Sequence, residues 1–405
     1  MISAFAPWRV ICALALLTPV IAVYVPLFIA PLVGLSAVLV GIHAAWSREF
    51  RIWPLPVIAL SLGGFALVAV ISMAWTYDPG VANGNLAKFL ATLISGAVIA
   101  GAARSVTERQ RSTVSRYLKI GIALALLALA LELLTDGIVT SFFKPPPDRT
   151  AFLNTFNRGL AIVALMIWPA LYSWTRRHWG MGLATLVAVF CFLLNFLSEA
   201  ALVSIGCGII VFALVFRFPR RMGGALSFFA AFVFLSMPAV IDTLPPPKEI
   251  SKQLHLPGSS FHRLVIWKFT TENIEQRPLF GWGFDASRVI PGNKALIEGE
   301  VALPLHPHNG VLQIWLELGA LGAIVAAVLA ACIAEAIRRN SADRVGQATA
   351  SATFVATLVI FIVSFGAWQS WWMAAISIVA ACTASVTGRP MLGPKQYSES
   401  ALSAR

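Results

Sequence analysis

Residues 200–216 read AALVSIGCGIIVFALVF, an uncharged run flanked by Glu199 and closed by Arg217. Soluble helices keep one polar face, whereas a hydrocarbon core about 30 Å thick needs a run apolar all round. Similar runs recur near 8–24, 27–46, 55–75, 86–103, 117–135, 157–174, 179–197, 222–241, 309–336, 348–367 and 370–387. Together they predict an all-α membrane protein of about twelve transmembrane helices. Composition agrees, since 58% of the 405 residues are hydrophobic and 12% are charged, about half the charged share of a soluble domain. A single polytopic domain, 1–405, is the simplest organisation. The first run reads as a retained helix, because Pro19, Pro26 and Pro31 lead into a second apolar run rather than a soluble domain.

Basic residues resist translocation, so their placement orients the chain. With the N-terminus inside, one side collects Arg9, Arg48, Arg51, Arg104, Arg109, Arg111, Arg116, Lys119, Arg176, Arg177, Arg217, Arg220, Arg221, Arg338, Arg339, Arg344, Arg389, Lys395 and Arg405. Only Glu49, Glu108, Glu335, Asp343 and Glu399 accompany them. The net charge of +12 is thus a positive-inside signature that needs no nucleic-acid partner. Both termini are expected to be cytoplasmic, and the stretch 242–308 to be an outer loop between helices 9 and 10. All five cysteines, Cys12, Cys191, Cys207, Cys332 and Cys382, fall in apolar spans, where they read as small core hydrophobes.

The outer loops 136–156 and 242–308 each carry a triple proline, Pro145 to Pro147 and Pro245 to Pro247, which stiffens the chain at the membrane surface. In the longer loop, Ser259 and Ser260 can cap a helix running to about Gln276, and Pro278 stops it. Phe261, Leu264, Val265, Phe269 and Ile274 predict an amphipathic helix along the outer interface. Arg263 and Trp267, four apart, share a face.

Three places can carry chemistry, because ionisable groups near hydrocarbon are expensive and mark sites by default. Arg158 opens the sixth span and either faces a site or snorkels to lipid headgroups. Glu199 lies in the turn between spans seven and eight, as an arginine's partner or as a solvated acid. In the third place, His306-Pro307-His308-Asn309, the long loop re-enters the membrane. A His-x-His pair can hold zinc, but no third ligand stands at a diagnostic spacing, so no metal is expected. Histidine is suited to accepting a proton near neutral pH.

These residues carry a resemblance. His308-Asn309 followed by Gly319 and Gly322 resembles the signature of O-antigen ligases, within the O-antigen ligase and polymerase superfamily. Other pieces resemble that superfamily in the same order. They are Ser72, Trp75, Thr76, Asp78 and Pro79; Asn157-Arg158-Gly159 with Trp168-Pro169; Arg263 with Trp267; and Arg277-Pro278-Leu279-Phe280-Gly281-Trp282-Gly283. The resemblance spans roughly 70 to 390 and implies a GT-C-like helical bundle in the bacterial inner membrane, with its site under the long periplasmic loop. It implies transfer of a finished glycan from undecaprenyl diphosphate to lipid A-core, among membrane lipids and with no cofactor.

Residue by residue, His308 matches the family's essential histidine and Arg263 its loop arginine. Where many relatives place an arginine after a serine, this chain has Ser198-Glu199, so Arg158 is the candidate second cation. Asn309, His306, Trp267, Glu199 and Arg288 are expected in support. Leaving diphosphate suits forked cationic donors, and the attacking hydroxyl suits a modest base. Gly319 and Gly322 are expected to let the tenth span pack closely against a neighbour. Competing readings are an O-antigen or exopolysaccharide polymerase, a protein O-oligosaccharyltransferase and, from another class, a polytopic transporter or flippase, which would place charges near the bilayer midplane.

Overall fold

The computed structural model describes residues 5–48, 54–143 and 145–389. Arg51, Glu49, Lys395, Glu399 and Arg405 of the charge asymmetry, and both chain ends, lie outside the described residues. The fold is all-α. Each predicted apolar run is a helix: α1 (Pro7–Tyr24), α2 (Ile29–Ser47), α3 (Pro56–Ser72), α4 (Pro79–Ala102) and α5 (Glu108–Leu134), then, after short α6 (Ile138–Phe143) and α7 (Arg149–Thr155), α8 (Asn157–Arg177), α9 (Trp179–Leu193), α10 (Glu199–Arg217) and α11 (Pro219–Asp242). After a four-residue turn come α12 (Pro247–Leu254) and α13 (Gly258–Gln276), and, after a long and mostly irregular segment, α14 (Gly310–Asn340), α15 (Arg344–Val363) and α16 (Ser370–Thr387).

Among the described residues, nine helices are long and apolar enough to cross a membrane, and the pair α7–α8, bent by 40°, makes up to ten. The runs at 55–75 and 179–197 form shorter helices of 17 and 15 residues. Side-chain hydrogen bonds accompany the end of each. Ser72 Oγ accepts the Phe284 N–H at 3.1 Å and Thr76 Oγ1 donates to the Phe284 carbonyl at 2.7 Å, so the chain leaves α3 there. After α9, Asn195 Nδ2 donates to the Phe192 carbonyl at 2.9 Å.

Helix α8 is the hub of one half. Every residue from Gly159 to Tyr172 is buried, against α1, α5, α9, α10, α15 and α16. Its alternation of Gly159, Ala161, Ala164 and Ala170 with bulky neighbours permits close approach on several sides. In the other half, α14 packs against α3, α11 and α13.

The segment between α11 and α14 differs from expectation. Ser259 and Ser260 do not cap α13; Pro257 occupies the N-cap position, and Ser260 Oγ donates to Glu199 instead, at 2.9 Å. Val265, Phe269 and Ile274 are buried, but so are Thr270, Thr271 and Asn273. The helix docks on α11 and α14, and the buried polar side chains bond back to carbonyls of their own helix. A two-residue hairpin follows, β1 (Leu296–Ile297) with β2 (Glu300–Val301).

The tenth predicted span is also not one straight helix. Gly319 has φ +62° and breaks α14. A break leaves backbone groups unpaired, which an apolar environment penalises heavily. Here the Pro278–Gly283 strip satisfies them: Trp282 and Gly283 N–H donate to the Leu316 and Glu317 carbonyls at 2.9 and 2.8 Å. In return Ala320 and Leu321 N–H donate to the Pro278 and Leu279 carbonyls at 2.8 and 3.3 Å. Gly319 therefore does permit close approach, but to irregular backbone rather than to a neighbouring span. A Cβ on Gly319 would stand 2.4 Å from the Leu279 carbonyl group. Gly319→Ala is expected to destabilise the fold by about 3 kcal/mol, left-handed strain and overpacking together. A lowered thermal transition in detergent would show it, and an unchanged one would mean the break is not required.

Candidate functional site

Asn309 is the N-cap of α14, its Oδ1 accepting the Val311 and Leu312 N–H groups at 3.0 Å each. That fixes the residue before it. His308 has φ +53°, a left-handed conformation that costs a bulky residue about 1–2 kcal/mol and persists only when its surroundings hold it. They do so at two points. The Trp267 indole N–H donates to the Pro307 carbonyl at 2.9 Å, and His308 Nδ1 lies 2.8 Å from the Ser364 carbonyl. A carbonyl only accepts, so Nδ1 carries the hydrogen and the neutral ring keeps its lone pair on Nε2.

His306 is wired the opposite way. Its Nδ1 accepts the His308 backbone N–H at 3.1 Å, and its Nε2 meets the Gln369 amide at 2.9 Å. The two rings are 4.4 Å apart between centroids. Burial, then His308 and Arg288, drives the His306 pKa down to about 3. His308 is also lowered, first by burial and further by Arg263 and His262, while the Ser364 carbonyl works in the other direction. At neutral pH both rings are therefore uncharged.

The cations separate into two kinds. Arg263, half-buried on α13, has no ion pair or hydrogen bond among the described residues. Burial works against its charge and Glu199 works for it, so Glu199 is a distant electrostatic partner while its carboxylate is tied to Ser260. Arg158 lies over the Trp371 ring, 5.5 Å from the centroid. The Trp371 indole N–H reaches Gln369 Oε1 at 3.1 Å, and Gln369 meets His306. Arg158 thus borders the cluster through two side chains without touching either histidine. Arg288 pairs instead with buried Asp285 at 3.0 Å and reaches His306 only through its field. Among the described residues, no three His, Cys, Asp or Glu side chains converge to hold a metal ion.

The sequence reading missed the group on which this arrangement rests. Glu317, fully buried on α14, accepts the Asp285 backbone N–H at 2.5 Å, the Trp368 indole N–H at 2.5 Å and Gln313 Nε2 at 3.0 Å, together with the Ser287 hydroxyl. Gln313 Oε1 in turn accepts the Ala367 N–H at 2.8 Å. The available signal was a glutamine and a glutamate four apart in an apolar run, which share a helix face.

The O-antigen ligase family profile matches residues 183–327, a stretch containing Glu199, Arg263, His308 and Glu317. Proteins named "Putative polysaccharide ligase" are similar over most of the chain. That of Rickettsia conorii is 28% identical over 324 residues, 76% of each chain. That of Rickettsia prowazekii is 30% identical over 276 residues, 66% of this chain and 67% of its own. That of Rickettsia felis is 30% identical over 274 residues, 65% of each.

Glu317→Gln places an amide N–H₂ among donors that need an acceptor. The expected loss is about 2–4 kcal/mol, visible as a lowered melting temperature in detergent. A variant as stable as the parent would contradict the four-donor arrangement.

Proposed function

The chain belongs to the O-antigen ligase family, and from that premise we propose that it transfers a glycan from undecaprenyl diphosphate to lipid A-core on the periplasmic face of the inner membrane. The observation that carries the reading is the wiring of His308. Its Nδ1–H is committed to Ser364, which leaves Nε2 as a base beside the unpaired guanidinium of Arg263.

In the proposed reaction the acceptor hydroxyl oxygen attacks the anomeric carbon of the donor sugar. A new C–O bond forms as the bond to the diphosphate breaks, and the diphosphate leaves with the electron pair. The hydroxyl proton passes to His308 Nε2, a contribution of about 10² to 10⁴ in rate. The Ser364 carbonyl then stabilises the imidazolium. Direct displacement inverts the anomeric centre. Arg263 supplies forked N–H donors to the leaving diphosphate, with Arg158 as the second cation, oriented on Trp371. These arginines fill the role a metal would otherwise take. Glu199 adds a favourable field at Arg263 and accepts the Ser260 hydroxyl. Trp267 and His306 hold the backbone of His308, and Asn309 anchors it to the helix.

Lipopolysaccharide profiling of a strain lacking the protein tests the reading as a whole. Loss of all capped species with accumulation of lipid-linked polymer is expected; capped species carrying one repeat would instead indicate a polymerase.

Arg263→Ala is expected to abolish transfer in a reconstituted assay while the protein stays folded, because no ion pair or hydrogen bond among the described residues is lost. Lysine, a point charge without a fork, should restore only part of the rate. Full activity of the alanine variant would overturn the assignment.

His308→Ala is expected to stop transfer with donor binding largely kept, and His306→Ala to retain much of its activity. The pH dependence carries a sign. Burial lowers the His308 pKa, so the base is neutral at pH 7 and stays so below the ordinary value of 6.5. A plot of kcat/KM against pH should be level near neutrality and fall on the acid side with an apparent pKa below 6.5. An acid limb above 6.5, or one that survives in the His308→Ala variant, would remove His308 from the role.

A further inference from the structure

Where α3 ends, a groove of about 590 Å³ is lined by Trp75, Pro278, Leu279, Phe280 and Gly281, with Arg277 as its charged wall. That volume is within the usual range of ligand sites. Leu279 and Phe280 are 63% and 57% exposed. The Leu279 carbonyl is bonded to Leu321 on α14 just past the break, and Leu321, Ile324 and Val328 further along that helix are exposed as well. So are Leu67 and Ile71 on α3, which packs against α14. The groove is continuous with the exposed apolar sides of α3 and α14.

Arg277 lies over the Trp282 ring, 4.2 Å from the centroid, and has no ion pair among the described residues. Stacking holds the plane of a guanidinium while leaving its N–H edges free, and those edges match phosphate. An apolar trough beside a free, oriented guanidinium is the chemistry of a phosphorylated lipid. Distance decides which one. Arg263 and Arg277 are fourteen residues apart along α13 and its cap, about 21 Å at helical rise. One diphosphate cannot span that separation, so with the donor's diphosphate held on Arg263, a phosphate on Arg277 belongs to a second lipid.

We propose that the groove seats the lipid anchor of the acceptor, an acyl chain along Trp75, Leu279 and Phe280 and a lipid phosphate on Arg277. This rests on the transferase reading above. It adds a ruler: an acceptor anchored at Arg277 must carry its accepting sugar across the roughly 21 Å to a donor held on Arg263, so lipid A without core sugars binds but does not accept.

The test uses the full chain in nanodiscs, with lipid A as binding probe and lipid A-core as acceptor, for Arg277→Gln alone and with Phe280→Asn. Both side chains are exposed, and the Phe280 carbonyl that accepts the Trp75 indole N–H is backbone, so both variants should fold. About tenfold weaker binding of lipid A and an acceptor KM raised about tenfold are expected, with donor KM and kcat unchanged. A raised donor KM would overturn the proposal by placing the donor's chain in the groove. Unchanged binding and KM values, or displacement of lipid A by an equal concentration of phosphatidylglycerol, would also overturn it. The binding measurement needs no transfer. If the parent protein binds lipid A through Arg277 but transfers nothing, the transferase reading fails and the lipid site stands.

Discussion

A carboxylate with no access to water must have every lone pair answered, and Glu317 meets that requirement with four donors drawn from three parts of the chain. Gln313 comes from its own helix, Ser287 and the Asp285 backbone from the long segment, and Trp368 from the turn between α15 and α16. The same group therefore ties α14, the 285–288 turn and the 366–368 turn at one point. Removing any one strand of this tie would leave a buried polar group short of a partner, a penalty of about 1–3 kcal/mol. The break at Gly319, two residues on, obeys the same constraint with backbone groups: it persists because the Pro278–Gly283 strip answers each orphan. Side chain and main chain thus lock the same two segments together.

The candidate site hangs from this lock. Ser364, whose carbonyl sets the tautomer of His308, is two residues before Gly366, and the space at Gly366 is filled by the His306 ring and Gln313 Oε1. Gln313 connects directly to Glu317. Arg288 is held by Asp285, whose N–H is on Glu317. The proposed base and the field around His306 are consequently set by contacts two or three side chains from the chemistry. A base must be oriented by something more rigid than itself, and a fully satisfied buried network supplies that rigidity.

The positions of the helices were legible in the sequence because hydrocarbon imposes a length and a polarity that each apolar run announces separately. Their ends were less so. The apolar run at 55–75 loses its last turn to Ser72 and Thr76, whose partner Phe284 is more than two hundred residues away. Within the site, His308 and Arg263 were legible as residue types placed next to apolar runs, and Trp267 as a neighbour of Arg263 on one helix face. Glu317 was passed over because a single acid in an otherwise apolar run gives no hint of the donors that will surround it. The hairpin at 296–301 escaped too, since two-residue strands carry no periodicity. Arg288 was legible as a cation but not as one already committed to Asp285.

The contrast among arginines bears most directly on what the site is for. Arg338 and Arg339 share Glu335, Arg176 pairs with Asp343 and Arg288 with Asp285, so several arginines are committed to carboxylates within the fold. Arg263 is more buried than those arginines and has no such partner among the described residues, although Glu199 stands near enough to be felt. Glu199 instead accepts the Ser260 hydroxyl. Partial desolvation of an unpaired cation opposes folding, and a fold that accepts the penalty gains a donor whose hydrogen bonds remain available. Direct pairing with Glu199 would have been more stable and would have left nothing for an anion to displace cheaply. On the proposed reading that anion is the diphosphate, and a guanidinium with no ion pair among the described residues has its donors available for it.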